Sequence, residues 1–249
     1  MDEAPHLLRA IMRLIDRTRF RLLSQAVVNG YRLLRGTQPT ERAVDSAARA
    51  PVSEIVLPAP DPTGNIPLEQ VIAGRRSVRD FAQKVLTREQ LSQLLWAAQG
   101  ITNGSRRTAP SAGGCYPLEL YVSVPSGFYH YNPQRHELEL CFDSDLRSAL
   151  YWAAQWRGSI KHAAAVFVIA AVYDRVARHY GSERSPLYVH LEAGHAAQNL
   201  LLQATALGLG SVPIGGFYDD QVEKALGLPN DHEPIYLIAV GYPEKAAAH

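Results

Sequence analysis

The sequence predicts an α+β fold, a sheet covered by helices. Three observations carry this. Residues 165–174, AVFVIAAVYD, are a continuous apolar run, the pattern of a central strand. Residues 187–207 read as a long helix and residues 88–99 as a clear amphipathic one. No GxGxxG opens a helix after a strand and no Walker sequence occurs, so a dinucleotide fold or an ATP site has no support.

At the N-terminus, Leu7, Leu8, Ile11, Leu14 and Ile15 recur at helical spacing, while Arg9, Arg13, Arg17, Arg19 and Arg21 interrupt any apolar core. Residues 6–35 therefore read as one or two basic amphipathic helices rather than a secretory signal. They would pack on the domain or a partner subunit, or lie on a membrane surface. No run approaches the roughly 20 apolar residues of a membrane span. Residues 36–66 are rich in Pro, Ala, Asp and Thr and read as a linker or wrapping arm. The expected division is an arm and linker at 1–51 and one domain at 52–249.

Pro67 suits the first turn of a short helix, with Leu68, Val71 and Ile72 as its apolar stripe and Gly74 at its exit. Thr87 caps the next helix, with Gln90 three residues on as in a capping box. Leu91, Leu94, Leu95 and Ala98 form its stripe and Gly100 ends it. Residues 118–125, LELYVSVP, alternate as a half-buried strand does. Residues 128–142 read as a hairpin turning at Asn132-Pro133, and residues 234–243, PIYLIAVGYP, as a last strand.

The 249 residues suffice for a sizeable core, and a net charge of +1 gives no general attraction to nucleic acid. Cys115 and Cys141, the two cysteines, form no CxxC pair and no disulfide framework; a reduced, cytoplasmic protein is expected.

Three segments could do chemistry. GRRSVRDF, residues 74–81, places Arg75, Arg76 and Arg79 just after a helix end. The helix dipole alone would attract them, and arginine forks also suit phosphate. APSAGGCYPLELYV, residues 109–122, runs small residues into a strand, and Ala112, Gly113 and Gly114 let backbone approach a flat ligand. GLGSVPIGGFYDD, residues 208–220, bares backbone again at Gly215-Gly216. On the long helix, His190 and His195 are five apart and do not share a face, so no metal pair is read there. Glu192, His195, Asn199 and Gln203 do share one. That stripe is either structural hydrogen bonding or the lining of a substrate site.

Together RRSVRDF, LSQLLWAAQGIT, APSAGGCYPLELYV, LEAGHAAQNLLLQATALGLGSVPIGGF and LIAVGYP resemble the nitroreductase superfamily of flavoproteins, and most of all its SagB-type branch, the azoline dehydrogenases (SagB/ThcOx-type). The resemblance covers about residues 52–243. It implies a nitroreductase-like fold with a mostly antiparallel central sheet and FMN at a homodimer interface. By position, Arg75 and Ser77 would grip the FMN phosphate with Arg76 alongside, and Arg79 would lie near the pyrimidine. Pro110, Ser111, Ala112, Gly113 and Gly114 would contact the partner's flavin. Pro213, Ile214, Gly215 and Gly216 would run past the ring near N5. A cation near N1 would stabilise the reduced flavin.

Two departures matter. Of the basic residues that many relatives carry past the last strand, only Lys245 remains. The catalytic Lys-Tyr pair of azoline dehydrogenases reads His179-Tyr180 here; histidine can act as a base near neutral pH, or the pair is a remnant. The resemblance therefore implies an FMN-dependent dehydrogenase acting on thiazoline- or oxazoline-like rings in peptides. Its rivals are an NAD(P)H-dependent nitro or quinone reductase and a flavin-bearing scaffold for a partner enzyme.

Overall fold

The computed structural model describes residues 54–155 and 157–244. The expected arm at 6–35, most of the linker, and Lys245 lie outside them.

Residues 54–56 (β1), 81–82 (β2), 118–124 (β5), 127–132 (β6), 137–142 (β7), 165–171 (β8), 210–214 (β9) and 233–243 (β10) build one sheet in the order β1-β7-β6-β5-β8-β10-β2, with β9 also on β10. Every strand pairing is antiparallel. Residues 101–103 (β3) and 106–107 (β4) make a separate two-stranded ribbon. Seven helices are described: α1 (68–74), α2 (88–99), α3 (147–153), α4 (158–162), α5 (173–180), α6 (185–206) and α7 (219–226).

Strand β8 shows why both sheet faces are covered. All seven of its residues are buried between β5 and β10. Because successive side chains alternate sides, Ala165, Phe167, Ile169 and Ala171 join the core under α2 and α6, while Val166, Val168 and Ala170 join Leu150, Ile160, Val222 and Leu226 of α3, α4 and α7. Helix α6 meets the sheet through Ala193, Ala196, Ala197 and Ala204, small enough for close approach.

Thr87 and Gln90 form the expected capping box, and Gly100 is the C-cap of α2. The hairpin turns at residues 133–136, between β6 and β7. Several expectations need correction. The apolar run that starts at 165 leaves the sheet at Ala171, and Tyr173 opens α5, which carries His179 and Tyr180. Strand β5 is more than half-buried, with Tyr121 and Ser123 inside, because helices cover its second face too. The linker contributes β1, paired with β7. In α1 only Val71 is buried; Leu68 and Ile72 stand 59% and 55% exposed. Residues 210–214 are a strand, so the bare loop begins only at Gly215. No described helix is long and apolar enough to cross a membrane.

Candidate functional site

The arginine segment is fixed to the edge of the sheet. Arg75 is the C-cap of α1, its N–H donating to Val71 O. Ser77 then bridges Ser211 in parallel, and Val78 N–H donates to Ser211 O at 2.9 Å. Two glycines make this approach possible. A Cβ on Gly210 would lie 2.7 Å from Val78, and one on Gly241 would lie 2.9 Å from Phe81. Arg75 is half-buried, while Arg76, Ser77 and Arg79 are exposed, as groups that meet a ligand must be. Arg76 Nε donates to Gly74 O at 3.3 Å, so the helix end holds this one arginine, as the dipole argument anticipates. Four residue steps along β9 lead from Ser211 to Gly215, about 13 Å at the rise of a strand.

A cavity of about 360 Å³ opens at that end of β9. Arg79 and Asp80 line it with Val212 to Gly216, and so do Arg157, Ser159 and His162 of α4 and its approach. The Arg157 guanidinium lies 3.3 Å from where a Cβ on Gly216 would sit. The structure thus brings Arg79 together with Pro213, Ile214, Gly215 and Gly216, and adds three residues that motif reading missed. The available signal was WRGSIKH, a basic run just ahead of the central strand.

Pro110 to Gly114 do not line that cavity. They form a turn next to α5 and α6, where Ala112 to Gly114 make one 3₁₀ turn. Gly113 and Gly114 have φ of 59° and 65°, a left-handed backbone that favours glycine. Tyr180 packs on this turn: a Cβ on Gly113 would fall 2.9 Å from its Oη. The Tyr180 ring also lies 4.8 Å from that of Tyr188, and the tyrosine remains 40% exposed. His179 is exposed, its ring 6.4 Å from that of Tyr180. Of the expected pair, the structure places Tyr180 at the turn.

Tyr116 holds the turn in place. Its φ is 47°, unusual for a side chain of that size. Every polar atom it has is engaged. Its N–H donates to Ser111 Oγ at 2.8 Å, its Oη accepts from Arg107 N–H at 3.2 Å, and its carbonyl accepts from Arg175 Nη1 at 3.0 Å. Arg107 lies 4.6 Å above its ring. Arg175 also pairs with Glu119, and Glu119 with His130 at 2.6 Å. Burial opposes the Glu119 charge, but the His130 hydrogen bond and the Arg175 charge hold its carboxyl down at about 2.

Below the turn lies Glu192 of α6, only 2% exposed. Burial pushes its carboxyl up to about 7, against the stabilising influence of the Ser111 hydroxyl, the Arg107 charge and the Gln99 amide. The fit is incomplete, since Glu192 Oε1 and Gln99 Nε2 both lack an aligned hydrogen bond. The rest of the stripe divides. Asn199 Nδ2 donates to Thr108 O at 3.3 Å and Gln203 Oε1 accepts from Gln93 Nε2 at 3.4 Å, whereas His195 is exposed. His190 meets Tyr173 Oη at 3.0 Å, and no cluster able to hold a metal occurs among the described residues.

The raised Glu192 carboxyl carries a stability prediction. The folded protein keeps this proton up to about pH 7, whereas the unfolded chain loses it near 4.5, so stability falls as pH rises between those values and levels off above. The full difference is at most about 3 kcal/mol. Glu192→Gln should remove this fall, so that urea unfolding shows the variant gaining on wild type as pH rises from 5 to 8. A constant difference between the two across that range would contradict the assignment.

Comparison with known proteins covers most of the domain. A model described as the Nitroreductase family matches residues 72–242. A protein of Methanocaldococcus jannaschii named as a nitroreductase is 43% identical over 183 residues, 71% of this chain and 91% of the relative. The NADPH-flavin oxidoreductase of Vibrio harveyi is 31% identical over 183 residues, covering 71% of this chain but 65% of its own length. Among solved structures, a protein of Ralstonia eutropha named as a nitroreductase superposes with a TM-score of 0.70 at 34% identity, over 86% of this chain and 97% of that one.

Proposed function

We propose a reaction from one premise: the chain belongs to the nitroreductase family. It is an FMN-dependent oxidoreductase. The finer reading is a SagB-type dehydrogenase that oxidises a thiazoline- or oxazoline-like ring carried on a peptide. The observation that carries it is the seat of Tyr180 on Gly113, which sets a proton-transferring hydroxyl against the turn assigned to the flavin.

In this reading Arg75 and Ser77 grip the cofactor phosphate, with Arg76 beside them, and Arg79 faces the polar edge of the ring. Pro213 to Gly216 pass along the ring. What supports FMN is exposed Arg76 and Ser77 beside half-buried Arg75, set about 13 Å along one strand from glycines with no side chain to obstruct a plane, with Arg79 at the glycine end. Arg157 and His162, on the same cavity, supply basic groups where the segment beyond the last strand has few. When bound, FMN would accept a hydride at N5; the protein's own part is to orient the ring substrate and to relay its proton through the Tyr180 hydroxyl, which gives up its own proton to His179 as the base.

Pro110 to Gly114 do not line the Arg79 cavity, which supports their reaching a partner's flavin in a homodimer. The exposed Leu68, Ile72, Leu187 and Leu191 supply apolar surface for such a partner. Light scattering on the yellow protein should give a dimer at micromolar concentration; a flavin-loaded monomer would sink this arrangement. Two cysteines that form no disulfide framework, Cys115 and Cys141, suit a reducing compartment, the cytoplasm. Residues 1–51 would then be an arm outside the catalytic domain.

A second reading, an NAD(P)H-dependent nitro or quinone reductase, is favoured by the similarity to an NADPH-flavin oxidoreductase. Stopped-flow bleaching of the bound flavin separates the two. The dehydrogenase reading expects bleaching by a heterocycle-bearing peptide; rapid bleaching by NADH or NADPH alone, with none by the peptide, selects the reductase.

A further inference from the structure

Helix α5 carries Tyr180, yet little of it is buried. Val176 is its one buried residue, and its first turn has no side-chain cap. Isolated helices shorter than about 12–15 residues are marginal in water, so eight residues do not hold themselves. The start of α5 is tied down: Val172 N–H donates to Pro117 O at 2.8 Å, and Ser185 Oγ donates to Tyr173 O at 3.1 Å. Tyr180 stands at the other end, against the Gly113 backbone. Val176 and Tyr180 are four apart and share a face of the helix. One buried valine on that face fixes how closely the helix lies, but not how far it is rolled about its axis.

Arg175 supplies a second point. It precedes Val176 by one position, about 100° around the helix. Its Nη1 donates to Tyr116 O at 3.0 Å, and its Nη2 pairs with Glu119. These acceptors flank Pro117, where the turn feeds β5. A guanidinium reaches both at once because its donors form a rigid planar fork, whereas an ammonium is a single point. Tyr116 N–H in turn donates to Ser111 Oγ at 2.8 Å. Helix α5 therefore meets the turn twice, at its root through Arg175 and at its crown through Tyr180.

We propose that Arg175 is the positioning residue for the Tyr180 hydroxyl: its fork on Tyr116 O and Glu119 sets the roll of α5 and so keeps the hydroxyl against Gly113. Five positions separate the two residues, about 140° around the helix and about 7.5 Å along it, so Arg175 acts through the helix. The consequence for proton transfer rests on reading Tyr180 as the relay; the hold of the fork on α5 does not.

The test is a double-mutant cycle on the full, FMN-loaded chain, with Arg175→Gln, Tyr180→Phe and the two combined, read by stopped-flow bleaching with a heterocycle-bearing peptide. Arg175→Gln should slow bleaching about 10²-fold, the cost of misplacing a reacting group by about 1 Å. In the Tyr180→Phe background the same change should cost nothing further, because the hydroxyl it positions is gone. Losses that multiply would mean that Arg175 acts elsewhere and would overturn the proposal, as would a wild-type rate in Arg175→Gln. Glu119 keeps His130 at 2.6 Å in that variant. If Arg175→Gln fails to fold, Arg175→Lys carries the same cycle: it keeps a cation for Glu119 but cannot span both acceptors, and a wild-type rate there would overturn the role of the fork. Hydrogen–deuterium exchange of the peptide spanning 173–181 is the second readout. It should lose about 10-fold protection in Arg175→Gln, the lower end of what one hydrogen bond to a charged group supports, and less in Arg175→Lys. If Tyr180→Phe bleaches at the wild-type rate, the dehydrogenase reading falls, while exchange still decides whether Arg175 holds the helix of the tyrosine; unchanged protection in Arg175→Gln would show that it does not.

Discussion

Replacing Tyr180 with phenylalanine should slow reduction of the bound flavin by a ring substrate about 10²- to 10⁴-fold, the usual cost of losing a group that moves a proton in the transition state. Ring oxidation releases a hydride and a proton, and the proton needs an acceptor placed on the same side as the substrate. Tyr180 satisfies the geometric part: its hydroxyl abuts the Gly113 backbone and its ring is still 40% exposed. Phenylalanine keeps the packing on Gly113 and Tyr188, so FMN affinity and thermal stability should stay close to wild type. His179→Ala should slow the same step if the imidazole is the base for which the tyrosine is the relay. Stopped-flow bleaching by substrate reads both. Wild-type rates in the two variants would remove the pair from catalysis and leave a reductase that receives hydride without any protein base.

Arg75→Ala should weaken FMN binding about 10- to 150-fold, since one hydrogen bond to a charged group contributes roughly 1.5–3 kcal/mol. The arginine is half-buried at the C-cap of α1, and its neighbour Ser77 is bridged to β9, so its guanidinium starts from a fixed backbone. That limits the entropy lost when a phosphate is gripped. Fluorescence titration of the apoprotein gives the affinity directly. An unchanged Kd would move the phosphate elsewhere, with the cations of the α4 approach, Arg157 and His162, as the next place to look.

The sequence was legible where local chemistry and periodicity agree. Thr87 and Gln90 announce α2 because a capping box needs no tertiary partner. The run at 165–171 announces β8 because a strand buried on both faces has no polar side to hide. It was less legible where burial is decided by elements far away in the chain. Strand β5 alternates like a half-exposed strand, yet Tyr121 and Ser123 are inside because helices cover that face as well. Helix α1 has an apolar stripe that the described chain leaves mostly uncovered. Of the candidate site, the glycine-bearing segments and the arginines could be found as motifs. Arg157, Ser159 and His162 could not, since only the fold carries α4 to the end of β9. Glu192 was visible as part of a polar stripe, but its neighbours Arg107 and Gln99 come from different elements, and nothing in the spacing foretells their meeting.

Strand β10 pairs with both β9, along residues 237–241, and β2, at residues 242–243. The segment from Arg75 to Phe81 and the glycines at 215–216 are therefore gauged against a single strand, with Gly210 and Gly241 as the points of closest approach. The turns joining β3 to β4 and β6 to β7 belong to strand pairs that do not include β10. Lengthening those turns would leave the gauge unaltered, because surface connections absorb insertions without moving the strands they join. A fold of this kind separates what must stay constant from what can vary: its periphery can lengthen while the distance between the cations and the bare backbone stays set by the strands beneath them.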